Sequence, residues 1–131
     1  MRCEARAMYS REAERDSAYG LFSGGMGLLR AGHPHQAALL LSRAKRAEPA
    51  KASIREGLGR ALFMIGRVTG ARREFARVVQ LDPANDYAHF GLALACERTG
   101  QRDRARAHVK LALAMRPGTC DYLRVLERLA G

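Results

Sequence analysis

The chain has no run of about 18 apolar residues, so the sequence offers no helix able to cross a membrane. It opens Met1-Arg2-Cys3-Glu4-Ala5-Arg6, mixing charges where a secretory leader carries an apolar stretch, and a cytoplasmic protein is the expectation. Cysteine is scarce. Cys3, Cys96 and Cys120 are odd in number and far apart, with neither a Cys-x-x-Cys pair nor a disulfide framework, so reduced thiols are expected. The Gly-rich stretch Ser23-Gly24-Gly25-Met26-Gly27 has no third glycine in dinucleotide register, no following Gly-Lys-Ser/Thr and no preceding strand pattern, which excludes a nucleotide loop. Each glycine inside a helix costs roughly 1 kcal/mol relative to alanine. Close approach of another backbone, most simply an N-terminal helix, is the expected offset, with a soft or ligand-contacting first helix as the alternative.

Catalytic constellations are missing as well. His33-Pro34-His35 has no Cys or carboxylate beside it and reads as a solvated turn rather than a metal site. His89 and His108 fall on different predicted helices, with no Ser, Cys or Asp arrangement to build a nucleophile and its base. No enzyme activity, no metal and no cofactor is expected.

What the chain does have is positive charge, a formal +10 at neutral pH. Arginine supplies 20 of the 23 cationic residues, a skew that an acidic partner or merely the GC-rich coding of a bacterium would produce. The charge sums to 0 over 1–17, +4 over 18–51, +3 over 52–85, +3 over 86–117 and 0 over 118–131.

The sequence also repeats. Shifted by 34 positions it aligns with itself in three ungapped blocks, 18–51, 52–85 and 86–119. Gly32, Gly66 and Gly100 stand at the fifteenth position, Ala37, Ala71 and Ala105 at the twentieth, and Pro49, Pro83 and Pro117 at the thirty-second. Glycine permits the positive φ that ends a helix, and proline cannot continue one, so each block holds two helices. The first helices are predicted at about 18–31, 52–65 and 86–99 and the second at about 34–47, 68–81 and 102–115, with an alanine where the pair packs closely. Leu58, Leu62 and Ile65 in one helix, and Phe75, Val78, Val79 and Leu81 in its partner, recur at helical spacing. Beyond the blocks, Tyr122, Val125, Leu126 and Leu129 form an apolar stripe over 119–131, expected to cap the last block. Ala5, Met8, Tyr9 and Ala13 make a weaker stripe in 1–17, an expected N-terminal helix that caps the first block or frays.

Leu58-Gly59, Leu62, Gly66, Ala71, Phe75 and Asp82-Pro83, repeated in part by Leu92, Gly100, Ala105, Ala112 and Pro117, resemble the tetratricopeptide repeat signature over 102 of the 131 residues. There are three departures. Arg55 and His89 stand at the fourth position where a bulky residue is the rule, Val78 holds a small-residue position, and Gly24-Gly25 replaces a Leu-Gly pair. Cys96 sits at the eleventh position, where the family buries a large apolar side chain, so it is expected to be packed rather than reactive.

The resemblance implies an all-α, right-handed α-α superhelix of three helix-turn-helix repeats plus a capping helix, serving as a scaffold that holds another protein. It also implies that positions two, five, nine, twelve and thirteen of each block line a concave groove. These positions gather five of the eight Tyr and Phe residues. The candidate partner-binding set is Tyr19, Phe22, Met26, Arg30, Arg60, Phe63, Tyr87, Phe90, Leu94 and Arg98, with the arginines placed to grip carboxylates of a peptide or helix that is acidic, apolar or both. Part of the set alternatively completes helix packing, or the groove is filled by the N-terminal helix. Two other functions stay open: self-association into a homodimer through the groove, and nucleic-acid binding through a convex basic stripe of Arg72, Arg73, Arg77, Arg102, Arg104, Arg106 and Lys110. Nucleic acid is disfavoured, because no aromatics interleave with those arginines. Relatives that clamp the Glu-Glu-Val-Asp tail of heat-shock chaperones use Lys, Asn and Arg at five positions that hold Phe22, Met26, Gly57, Tyr87 and Gly91 in this chain, so that ligand is not expected.

Overall fold

The computed structural model describes residues 17–131, which form seven helices and no strand. They are α1 (Ala18–Arg30), α2 (Pro34–Ala47), α3 (Ala52–Met64), α4 (Val68–Leu81), α5 (Asp86–Arg98), α6 (Arg102–Met115) and α7 (Cys120–Ala130). The expected N-terminal helix lies outside the described residues.

Two kinds of stop signal alternate along the chain. After each first helix, Gly32, Gly66 and Gly100 take φ of 85°, 85° and 79°, a left-handed turn that a Cβ disfavours. The next residue then donates its N–H back to a carbonyl five residues earlier, His33 to Leu28, Arg67 to Leu62 and Gln101 to Cys96, each at 2.8 Å. The glycine N–H groups reach Leu29, Phe63 and Glu97, so otherwise orphaned helix-end carbonyls are satisfied. The second helices end by a different device. Glu48, Asp82 and Arg116 each precede a proline, whose ring excludes helical geometry from the residue before it, and their φ/ψ are −135°/81°, −143°/84° and −136°/81°. At helix starts, Ser17 Oγ accepts from the Gly20 N–H at 3.0 Å and Asn85 Oδ1 from the Ala88 N–H at 2.9 Å.

Packing follows the same period. Ala37, Ala71 and Ala105 are wholly buried, as expected of the close-packing position. Four residues further on, a larger knob inserts between two helices. Leu41 of α2 lies over Gly25 of its own pair, where a Cβ would sit 2.7 Å from Leu41 Cγ, and faces Gly57 of α3 on the other side at 3.5 Å. Phe75 of α4 is held the same way, 3.0 Å from the Cβ position of Gly59 and 2.7 Å from that of Gly91. In the third pair the knob shrinks to Val109, clustered with Ala93 and Val125. Knob and socket volumes therefore change together. Among the described residues, Gly25 admits the side chain of Leu41, with the Ala37 carbonyl oxygen 3.5 Å from the same Cβ position, Gly24 meets Leu40 at 3.3 Å, and no described atom lies within 4 Å of a Cβ placed on Gly27; the N-terminal helix expected to offset these glycines lies outside the described residues.

Direct helix contacts join α1 to α3 and α3 to α5, with no comparable contact between successive second helices, so the first helices line the inner side of the array. Helix α7 packs on α6 and buries Tyr122, Val125 and Leu129, with Leu126 half-buried, the stripe read from the sequence. It occupies the place of a further first helix. At the position filled by the sockets Gly25, Gly59 and Ala93, however, it presents an exposed Glu127.

Candidate functional site

The ten candidate residues all lie on α1, α3 and α5, the inner helices. Their exposure divides them. Tyr19 is 75% exposed, and Arg30 and Arg98 are also exposed. Phe22 and Met26 are half-buried against the α1–α2–α3 core, and Phe90 and Leu94 against the core beneath α7, so these four serve packing as well as any groove. The other half-buried members, Arg60, Phe63 and Tyr87, meet between α3 and α5.

The contacts between those two helices are reciprocal. The Arg60 guanidinium of α3 lies 5.6 Å from the centre of the Tyr87 ring of α5, and the Arg98 guanidinium of α5 lies 5.0 Å from the Phe63 ring of α3. Tyr87 continues a run of rings, 6.2 Å from Phe75 and 6.1 Å from Phe90, which in turn lies 4.7 Å from Tyr122 of α7. Burial pushes the Tyr87 hydroxyl above its ordinary pKa, and the positive charge of Arg60 pulls it partly back.

Beside this run opens a cleft of about 500 Å³ lined by Glu56, Arg60, Asp82, Ala84, Asn85, Asp86, Tyr87, Arg116 and Tyr122. Its polar groups are largely engaged. Asn85 Nδ2 donates to Glu56 at 3.0 Å, Tyr122 donates to Asp86 at 2.5 Å, and Arg116 stands 3.6 Å from the same Asp86 carboxylate. Burial and that acidic partner drive the Tyr122 hydroxyl far up. Asn85, Asp86, Arg116 and Tyr122 were absent from the sequence-derived set. They sit at the junctions between blocks, where the Asp-Pro turn was visible but its company was not. A bidentate pair from Arg128 of α7 to Glu97 of α5, 2.7 Å on one arm, ties the cap to the groove edge and holds the Glu97 carboxyl below its usual range.

Charge is sorted between the two helix sets: α2, α4 and α6 carry +3, +2 and +3, against +1, +1 and −1 on α1, α3 and α5. The groove is near neutral, and the positive charge lies on the second helices. Cys96 is packed as expected, 2% exposed, and burial raises its thiol away from reactivity. No helix among the described residues is long and apolar enough to span a membrane.

Profiles of the tetratricopeptide repeat match residues 22–86 and 66–129. The chain belongs to the tetratricopeptide repeat family. Superkiller complex protein 3 of Mus musculus is 32% identical over 101 residues, but those cover 77% of this chain and only 6% of that protein. Among solved structures, the first tetratricopeptide repeat domain of Spaghetti (RPAP3) bound to an HSP90 peptide superposes with a TM-score of 0.84 at 16% identity, covering 87% of this chain and 90% of that one. MamA superposes at 0.85 and 20% identity, covering 93% and 71%. YrrB, a protein described as having an unusual peptide-binding site, superposes at 0.82 and 21% identity, covering 88% and 60%.

The departures at the fourth position of the tetratricopeptide repeat now have a cause. That residue packs against the twenty-third of its own repeat, and the three repeats fill the site with three chemistries. In the first, Leu21 is buried in a cluster joined by Leu40. In the second, Arg55 pairs with Glu74 at 3.0 Å, and Lys45 reaches the other oxygen at 2.7 Å, so the buried Glu74 carboxylate is doubly compensated. Arg55 also donates to the Pro49 carbonyl at 2.6 Å. In the third, His89 and His108 stack with ring centres 5.6 Å apart and Nδ1 atoms 3.4 Å apart. The sequence reading held these histidines apart on separate helices. The usable signal was register, since each departure at position four faces a departure at position twenty-three.

Proposed function

We propose that this tetratricopeptide repeat chain is a non-catalytic interaction module whose concave groove, centred between α3 and α5, holds an extended or helical segment of another protein. The observation carrying this reading is the reciprocal pair of arginine–aromatic stacks. A guanidinium held over a ring keeps N–H groups that can reach a carboxylate, and Arg60 additionally hydrogen-bonds the Tyr87 hydroxyl, which helps to fix its position. Because the groove itself is near neutral, the partner is one with apolar anchors and a few placed carboxylates rather than a uniformly acidic tract. Tyr19, Phe63 and Tyr87 offer anchoring surface, with Phe22, Met26, Phe90 and Leu94 forming the floor and Arg30 the far rim.

Selection from a displayed random-peptide library is the test. Recovered peptides should combine aromatic or aliphatic residues with Asp or Glu, and Arg60→Gln or Arg98→Gln should weaken them roughly tenfold or more, the scale of a hydrogen bond to a charged group. Peptides bound equally well by both variants would refute the reading. Structural neighbours are described with HSP90 and HSP70 peptides, but a chaperone-tail peptide should give no calorimetric signal here. The matching positions Gly57 and Gly91 face Met26 and Phe75 at 2.8 and 2.7 Å and have no room for a donor side chain.

A further inference from the structure

We propose that His89 and His108 form a proton-sensitive latch between α5 and α6, one that loosens the third repeat in mild acid and so regulates the groove; its functional consequence rests on the groove being the partner site. At neutral pH each ring carries one proton, and across the 3.4 Å contact a single Nδ1–H of one ring donates to the Nδ1 lone pair of the other. Adding one proton preserves that bond but places a cation at a site where His89 is only 6% exposed. Adding a second sets N–H against N–H with no acceptor between them, and the rings must part.

The surroundings resist both steps. Arg72 of α4 and Arg104 of α6 oppose charge on His108, and the neutral Cys96 thiol of α5 shares the same two arginines. The Pro83 carbonyl is the one group favouring protonated His89, and no carboxylate acts on either ring. Desolvation is the largest cause holding both histidines below their ordinary pKa. The unfolded chain therefore binds protons more readily than the folded one. Stability from the pair is complete above the ordinary histidine pKa and is lost as pH falls below it toward the folded values. The equivalent Leu21–Leu40 contact has no proton to gain, and the Arg55–Glu74 pair has no histidine. Acid in this range thus acts on the third repeat, whose helix α5 carries Tyr87, Phe90, Leu94 and Arg98. A shift of α5 against α6 moves Tyr87 relative to Arg60, and Arg98 relative to Phe63.

The full chain without a partner tests this, by histidine-ring NMR titration and hydrogen exchange between about pH 7 and 5. The His89 and His108 rings should both titrate below the ordinary histidine value of about 6.5. Exchange of α5 and α6 amides, corrected for intrinsic rates, should rise by up to about tenfold per pH unit for each histidine, while α1 to α4 stay protected. The Tyr87 ring and Arg98 Nε signals should move along the same titration curve. In a His89→Leu/His108→Leu variant, which copies the first repeat, the acid response of α5 and α6 should vanish. Either ring titrating at or above that ordinary value overturns the latch, as does an unchanged acid response in the variant. If the variant fails to fold, the wild-type titration decides alone. None of these readouts needs a peptide, so a failed library selection leaves them standing, and a failed titration leaves the selection standing.

Discussion

Substituting Gly91 by alanine isolates the size-matching between knobs and sockets. In an unobstructed helix this change stabilises by roughly 1 kcal/mol, because alanine is the better helix former. Here the added Cβ would lie 2.7 Å from three carbons of the Phe75 ring. The same ring lies 3.0 Å from the Cβ position of Gly59, so it sits in a socket made by two glycines. Overpacking of a close-packed core costs about 1–3 kcal/mol, so the net effect of Gly91→Ala is a loss of up to about 2 kcal/mol. Gly27→Ala is the control: with no described atom within 4 Å of its Cβ, it should gain up to about 1 kcal/mol. Phe75→Leu should be destabilising alone yet partly rescue Gly91→Ala, leaving a coupling of about 1 kcal/mol or more in the double-mutant cycle. Urea unfolding of the four proteins, checked for equal slopes, measures all of this. A Gly91→Ala protein that gains stability as Gly27→Ala does, or a cycle that closes additively, would refute the packing argument.

Two further outcomes follow from the joints between repeats. Glu74→Leu should cost on the order of 3 kcal/mol in urea unfolding by stranding Arg55, whereas Glu74→Leu with Arg55→Leu, an apolar pair like that of the first repeat, should recover most of the loss; an equally unstable double variant would argue against the ion cluster. Removing residues 119–131 should uncover Val109 and Ala112 and drive self-association, read by light scattering at rising concentration, and a truncated protein that stays monomeric and equally stable would show that α7 does not cap.

The period and the helix limits were legible because the signals for them are local. A glycine forced to positive φ and a proline restricting its predecessor act on the backbone beside them, and the second helices begin and end where the sequence placed them. The first helices stop one residue earlier than expected, at Arg30, Met64 and Arg98, because the residue before each glycine serves as the cap. The placing of the ten candidate residues on the inner helices was legible, but their exposure was not. Phe22 and Leu94 fall on the inner helices, yet neighbouring cores half-cover them, and the degree of cover depends on side chains from other blocks. The Arg60–Tyr87 and Arg98–Phe63 contacts run between blocks in the same way, 27 and 35 residues apart in the chain. Residue type alone gave no hint of the pairing of His89 with His108.

The alternation of knob and socket sizes limits how such an array can lengthen. A copy of the middle block placed after itself offers Gly57 to the Phe75 ring, again a glycine where Gly91 now stands. A copy of the last block's second helix there instead would set the smaller Val109 against glycine and leave a void, and moving α7 up to follow the middle block would drive Val125 into the Phe75 ring. Duplication of the middle block is therefore tolerated at this joint, whereas exchanging its second helix or bringing α7 directly after it is not, so a block can be repeated here while the order of the surrounding units stays constrained.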